Sequence, residues 1–203
     1  MDVATAIGSV FAAVGLSGAA GLNAYLPLLL GAVLARLDVV TLGEPFGALS
    51  SNAGIAIHAA LFLADFAGDK IPGVDHGLHV AGTVVAPVSM PVWPTKRSAP
   101  ETGIPAAVAA ILGAATAETL HGGRAALRPA STTATAGIGN PILSLGEDAT
   151  SLTLTVLAFA LPVLALLLVL FLLVTVISGA RRLRRLRNRP GRVRPDPADP
   201  PRR

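Results

Sequence analysis

The apolar run from Ser151 to Ser178 constrains this chain more than any other stretch, because only Pro162 interrupts it. A run of about 18 or more apolar residues is typical of a helix that crosses a lipid bilayer. The residues just before the run are polar, and two of them, Glu147 and Asp148, are adjacent carboxylates. An ionisable group at the edge of hydrocarbon is costly and usually has a function, so this acidic stretch is the first candidate for a site.

The composition places the chain in the membrane class. Hydrophobic residues make up 52% of the 203 residues, charged residues only 14%, and the mean hydropathy is +0.65. Soluble domains carry about a quarter charged residues. Because the sequence has no cysteine, disulfides, thiolate metal sites and thiol nucleophiles are excluded.

The apolar blocks predict an all-α polytopic membrane bundle of about six spans, with one broken or re-entrant segment. Residues 3–36 would measure about 50 Å as one helix, whereas hydrocarbon is about 30 Å thick. The Gly-rich patch 17–21 is therefore predicted to divide them, either as a tight turn between two spans or as a break of one helix inside the membrane. Asn23 and Pro27 would then lie near backbone groups that the break frees. The other predicted spans are 49–66, 80–93, 101–120 and 151–178, while the small-residue segment 129–148 either crosses fully or re-enters.

Arginine is concentrated at the C-terminal end. Residues 181–203 hold ten Arg and two Asp, a formal charge of +8, whereas the rest of the chain carries −4. By the positive-inside rule, a basic segment directly after an apolar span marks its cytoplasmic end. We therefore predict a membrane-embedded domain over 1–180, a disordered cytoplasmic tail over 181–203, and a multi-pass location in the cell membrane. With aromatic residues at 4%, base-stacking surfaces and a nucleic-acid partner are not expected.

Three groups of polar residues interrupt the apolar blocks at the ends and breaks of the spans. The predicted site residues are Asp69, Lys70, Asp75 and His79 in the first group, Glu118, His121, Arg124 and Arg128 in the second, and Asn140, Ser144, Glu147 and Asp148 in the third. Asp65 precedes the first group inside a span. None of these residues is assigned a catalytic role.

Each group also has an ordinary structural interpretation. Asp75 and His79 stand one helical turn apart, which suits a proton relay, but a solvated loop would have the same pattern. The second group falls on one helical face, which would pair with the acids of the first, bind an anionic headgroup or lie at the membrane interface. Glu147 and Asp148 either cap the N-terminus of the final helix or, with carbonyls freed at Pro141, form a cation or proton site.

When residues 69–79 are aligned with residues 118–128, Gly73 is opposite Gly122, Asp75 is opposite Arg124 and His79 is opposite Arg128. The matches are few, so the alternatives are chance and an inverted repeat, in which discontinuous helices meet at a midplane site. No nucleotide loop, dinucleotide fingerprint or hydrolase motif occurs, and no cofactor is expected. A zinc site from His76, His79 and His121 would have no known ligand spacing, so no metal is predicted.

Three motifs stand out together along the chain. They are Gly21-Leu22-Asn23-Ala24-Tyr25-Leu26-Pro27, then Asp69-Lys70-Ile71-Pro72-Gly73-Val74-Asp75, and Asn140-Pro141 followed by Ser144, Glu147 and Asp148. They resemble a family of small bacterial membrane proteins catalogued as domain of unknown function 4126, over about residues 5–178. Family members commonly have Arg where Asn23 stands, and this departure weakens any role for position 23. The resemblance implies an integral protein of the bacterial inner membrane without an established activity, and favours one shared site for the three groups.

Ionisable residues at span ends favour a small transporter or channel-like protein for an ion, a proton or a small polar solute. The alternative is a structural or lipid-interacting membrane protein whose buried ionic groups only hold helices together. A membrane-embedded enzyme acting on a lipid headgroup is a third hypothesis, with only the paired carboxylates and histidines in its favour. The expected partners are the lipid bilayer and, for a transporter, the ion or solute.

Overall fold

Helices dominate the part of the chain that the computed structural model describes, which is residues 3–40, 42, 46–68 and 106–187. The α-helices there are α1 (Val3–Leu22), α2 (Leu26–Arg36), α3 (Asn52–Gly68), α4 (Ala106–Thr135), α5 (Asn140–Ala160) and α6 (Pro162–Arg187), with a 3-10 helix at Phe46–Ser50. No strand occurs in these ranges, so the all-α prediction is confirmed for them. The predicted span 80–93 lies outside the described residues.

Helix α1 is the centre of the bundle, because it packs against α4, α5 and α6. Its partner α5 runs antiparallel to it: Asn23 at the end of α1 contacts Asp148, and Ala19, one turn earlier, contacts Ser151. The interhelical contacts on α1 come largely from small residues. Helices in a lipid environment gain stability from such close packing, since lipid tails are as apolar as their side chains.

Glycines let the neighbours of α1 approach its backbone closely. A side chain at Gly21 would overlap backbone atoms of Ala117 on α4, whose Cα would lie 2.9 Å from the added Cβ. A Cβ at Gly18 would come within 2.5 Å of a methyl group of Val169 on α6. These two positions therefore have no room for a larger residue while the helices keep their spacing.

The break between α1 and α2 divides residues 3–36 as predicted, but not at the predicted place. The Gly-rich patch 17–21 is helical, and the chain leaves the helix only at Asn23–Tyr25. The prediction of a break at the glycines is wrong because their lack of side chains serves helix packing here. Pro27 falls in the first turn of α2, where a missing backbone N–H costs little.

The segment 129–148 contains the end of one helix, a turn and the start of the next. Residues 129–135 continue α4 past Pro129, a turn follows with positive φ at Ala136 (51°) and Gly137 (87°), and α5 begins at Asn140. Asn140-Pro141 starts a helix rather than breaking one, because proline is favoured in a first turn. As a result, the acids 147 and 148 lie inside α5, and the prediction that they cap the final helix is wrong.

The apolar run 151–178 forms parts of two helices and not one span. Leu161 leaves the helical conformation at φ −141° and ψ 70°, and Pro162 begins α6. A proline inside a helix removes a hydrogen bond and clashes with the preceding turn, so the chain breaks before it. Helix α6 then continues to Arg187, which makes residues 181–187 of the predicted tail helical.

Two helices of the described part are long and apolar enough to cross a bilayer, namely α5 and the part of α6 from Pro162 to Arg182. Helices α2 and α3 are apolar but shorter. The predicted span 49–66 is therefore a helix of 17 residues, from Asn52 to Gly68.

Candidate functional site

Asn23 occupies the break between α1 and α2 and is fully buried, with 0% of its surface exposed. Its side-chain oxygen accepts hydrogen bonds from the backbone N–H groups of Tyr25 and Leu26, both at 3.0 Å. These donors lie at the start of α2, where no preceding helical carbonyl is in place to receive them. The prediction that Asn23 lies near freed backbone groups is confirmed.

The amide nitrogen of Asn23 joins two carboxylates from different helices. Nδ2 donates to Asp148 Oδ1 of α5 at 2.8 Å and to Asp65 Oδ2 of α3 at 3.2 Å. Both acids are buried, with 5% of Asp65 and 8% of Asp148 exposed. A side-chain amide carries two N–H donors, so one neutral group serves both acids. In the described ranges no three His, Asp or Glu side chains are placed to hold a metal ion.

Two arginines of α4 enclose the carboxylate of Glu147 on α5. Arg124 Nε and Arg128 Nη2 lie 2.6 Å and 3.2 Å from the same oxygen, Glu147 Oε2. Arg124 Nη1 also donates to the Leu22 carbonyl oxygen at 2.6 Å. That carbonyl ends α1 and has no following helical N–H to accept, so the guanidinium group satisfies it. One buried side chain thereby connects α1, α4 and α5.

The face of α5 that contacts α1 remains polar beyond the two acids. Ser151 Oγ donates to the Ala19 carbonyl oxygen at 2.9 Å, across the α1–α5 interface. Ser144, one turn before Asp148, is also fully buried. A hydroxyl that donates to a carbonyl is cheap to bury, because its polar hydrogen is satisfied.

We use the name Asn23 cluster for two neighbouring sets of side chains, which are Asn23 with Asp65 and Asp148, and Glu147 with Arg124 and Arg128. It contains four of the twelve predicted site residues and combines members of the second and third predicted groups. His121 and Ser144 are buried on the same helices, and Glu118, a turn before His121, is half-buried. The first predicted group, which is Asp69, Lys70, Asp75 and His79, lies outside the described residues, and so does the first half of the proposed repeat.

Asn140 is the described site residue that lies elsewhere. Its Nδ2 donates to Thr132 Oγ1 at 2.9 Å and so connects the start of α5 to the last turns of α4. This bond belongs to the α4–α5 turn. Nothing places the side chain in the Asn23 cluster.

Two members of the cluster, Asn23 and Asp65, are not among the predicted site residues. The departure from Arg at position 23 weakens any role expected there, yet the Asn23 amide makes four hydrogen bonds in the cluster. The signal for Asp65 is an acid inside an otherwise apolar helix. The signal for Asn23 is a polar residue between an apolar helix and a proline, where freed backbone donors need an acceptor.

Most of the chain matches a known family. Residues 10–182 match the family described as Domain of unknown function (DUF4126). The chain belongs to the DUF4126 family. The match runs from α1 to the arginines of α6 and includes every residue of the Asn23 cluster, and it confirms the DUF4126 resemblance that the sequence motifs indicate. No curated protein and no solved structure matches the chain significantly.

Proposed function

We propose that this DUF4126 protein is an integral membrane protein that moves a small cation, such as a proton, by way of the Asn23 cluster. The observation that carries the proposal is the pair of buried carboxylates, Asp65 and Asp148, held from two helices by one neutral amide. The proposal places a multi-pass body over 1–180 in the cell membrane and the basic segment 181–203 on the cytoplasmic side. Its partners are the bilayer and the transported cation.

The polarity of α5 is the reverse of that of a helix in a soluble protein. A soluble helix buries its apolar stripe and exposes its polar face. The buried positions of α5 are mainly polar, and they are Ser144, Asp148, Ser151, Leu154, Thr155 and Ala158. Its large exposed side chains are apolar, and they are Ile142, Leu145, Leu152 and Val156. Lipid around the helix and a polar interior would account for both faces.

Helix α6 supports the same location. A stretch of 18 residues within Pro162–Arg182 has a mean hydropathy of 2.9, yet only 11% of that stretch is buried. The core helix of a soluble protein would be mostly buried, and a signal sequence would lie near the N-terminus. Exposed side chains such as Leu167, Phe171 and Val174 therefore need an apolar surrounding other than the bundle. A bilayer supplies it.

The acids of the cluster indicate what such a protein would bind. Buried carboxylates in a membrane protein are costly, and they usually mark ion or proton pathways. Glu147 has two guanidinium groups beside it, and Asp65 and Asp148 share the amide of Asn23. Two neighbouring acids attract a cation. Their position at the α1–α2 break agrees with transporters whose discontinuous helices form the ion site.

The second candidate is a structural role for the cluster, and Arg124 favours it. This side chain bonds the Leu22 carbonyl and the Glu147 carboxylate, and so connects three helices. If that is the whole function, substitutions in the cluster lower stability and the protein moves no ion. The two candidates therefore differ in a measurement of flux and not in a measurement of stability.

The test is cation flux into liposomes that contain the purified protein. A pH-sensitive dye inside the vesicles reports proton entry under an imposed potential, and radiolabelled sodium and rubidium report the other cations. We expect flux above that of protein-free vesicles. Asp65→Asn and Asp148→Asn should each lower it by about tenfold or more, which corresponds to about 1.4 kcal/mol of lost cation binding. Far-ultraviolet circular dichroism verifies that each variant is folded.

Asp38→Asn is the matched control, because it makes the same chemical change on an exposed acid outside the cluster. Asp38 has a φ of 58°, a conformation that asparagine also tolerates, so the control adds no backbone strain. Its flux should equal that of the wild type. Absence of any cation flux, or equal flux in the two cluster variants and the control, would rule out the transport proposal and leave the structural one.

A further inference from the structure

Four exposed arginines follow the apolar part of α6 without a break in the helix. Arg181, Arg182, Arg184 and Arg185 are all exposed, and α6 continues to Arg187. At 3.6 residues per turn they occupy an arc of about 160° and so lie on one side of the helix. Their charges are held together by the helix backbone, which an unstructured basic segment would not do.

This arginine face continues the exposed apolar stripe of the same helix. Alternating steps of four and three residues run through the exposed positions Val163, Leu167, Leu170, Val174, Ile177, Arg181 and Arg184. Residues at such spacing lie above one another on a helix. Ala165 and Val169, which are 0% exposed, lie on the opposite side against the bundle. One continuous side of α6 is thus apolar for about four turns and then basic.

The length of the apolar part matches a bilayer. Hydrocarbon about 30 Å thick is crossed by about 20 helical residues, so a helix that enters at Pro162 leaves near Arg181. The arginines would then lie at the level of the lipid headgroups. This step rests on the membrane location in the proposed function, although it does not depend on cation transport.

We propose that the arginine face of α6 binds the phosphate groups of anionic phospholipids. A guanidinium group matches phosphate geometry with two parallel hydrogen bonds, and basic residues next to a span are attracted to anionic headgroups. The apolar stripe below the arginines would hold the acyl chains of the same lipids. A nucleic acid would satisfy the charge but would leave the adjoining apolar stripe without a partner, so the lipid fits the whole face better.

The test compares lipid binding by the full chain and by two charge-matched variants. Vesicle flotation first establishes insertion, and native mass spectrometry in detergent then measures the binding of phosphatidylglycerol against phosphatidylcholine. We expect phosphatidylglycerol to bind more tightly. Because each arginine near a surface contributes about fivefold, changing all four of these residues to Gln should weaken that binding by at least about tenfold.

The control variant removes the same number of charges from the remainder of the basic segment. It carries Gln in place of the arginines at 189, 192, 194 and 202. Its preference for phosphatidylglycerol should be close to that of the wild type. Equal losses in the two variants would show a nonspecific charge effect and overturn the inference, as would tighter binding of a short oligonucleotide than of phosphatidylglycerol.

The two proposals fail in different ways. A chain that does not float with vesicles overturns the membrane location and this inference together. A chain that floats but binds both lipids equally overturns only the headgroup site. Asp148→Asn, which should abolish cation flux, should retain the lipid preference, since Asp148 lies in the bundle and not on the arginine face. Loss of the lipid preference in that variant would also contradict the inference.

Discussion

Replacement of Glu147 by Gln should destabilise the bundle more than any exposed charge change. The substitution keeps the shape of the side chain and removes the carboxylate charge that lies between two buried arginines, Arg124 at 4% exposure and Arg128 at 7%. At an effective dielectric constant of about 20, the attractions at 2.6 Å and 3.2 Å amount to about 6 and 5 kcal/mol. Desolvation of the three groups offsets most of this gross attraction.

The measurable cost is therefore much smaller than the gross attraction. Removing one partner of a buried ion pair costs about 3–5 kcal/mol. Since the Gln carbonyl still accepts a hydrogen bond, we expect Glu147→Gln to fall at the lower end, about 3 kcal/mol. For a chain of this length about 1 kcal/mol corresponds to 2–4 °C, so the melting temperature should fall by about 10 °C. Thermal melts in detergent, followed by far-ultraviolet circular dichroism, measure the change.

A double-mutant cycle isolates the pair itself. Arg124→Gln loses both the Glu147 pair and the bond to the Leu22 carbonyl, so it should cost at least as much as Glu147→Gln. The double variant should cost about 1–3 kcal/mol less than the sum of the two single changes. The exposed control Asp38→Asn should stay within about 0.5 kcal/mol of the wild type. A Glu147→Gln effect below about 1 kcal/mol, together with additivity, would refute the account of the ion pair.

Two further pairs of substitutions test the packing around α1 with the same melts. Gly21→Ala would push a Cβ into the Ala117 backbone and should lower the free energy of unfolding by about 1–3 kcal/mol. In the same helix, the Cβ of Gly8→Ala would meet nothing within 4 Å, so this change should raise the free energy of unfolding by about 0.5–1 kcal/mol. Effects of the same sign would contradict this account of the packing. Ser151→Ala removes a buried bond to α1 and should cost about 1 kcal/mol, and the exposed Thr153→Ala, whose hydroxyl bonds only within α5, should change stability by less than about 0.5 kcal/mol. Equal losses at the two hydroxyls would show that the interhelical bond contributes nothing.

Local chemistry was sufficient to predict the helical class and part of the site. Residues 3–36 are too long for one span, which requires a break, and Asn23 and Pro27 are then expected near the backbone groups that the break frees. The spacing of Arg124 and Arg128 on one helical face also follows from the sequence alone. These inferences depend only on the length of one segment or on the spacing of residues within one helix. They therefore require no knowledge of which helices are neighbours.

Inferences that depend on helix neighbours were harder to make from sequence. The sequence offers the acids of the first group as one of three alternatives for Arg124, and those acids lie outside the described residues. In the described part Arg124 contacts Glu147, which the α4–α5 turn brings close. The run 151–178 was interpreted as one span because its composition is uniformly apolar. The backbone effect of Pro162 outweighs that composition, since a proline in a helix interior removes a hydrogen bond and clashes with the preceding turn. An apolar composition indicates that a segment avoids water, but it does not indicate at which residue the helix ends.

The Asn23 side chain contributes both to stability and to the proposed cation site. The two contributions can be separated only by changing other members of the Asn23 cluster. The Asn23 oxygen holds the start of α2 and its nitrogen holds both acids, so any change there alters helix geometry and site together. Asp65 is different, because replacing its carboxylate by an amide keeps an acceptor oxygen for Asn23 while removing one charge. A loss of flux at Asp65→Asn with an unchanged melting temperature can then be attributed to the charge. The same loss at Asn23 would not discriminate between a displaced helix and an emptied cation site.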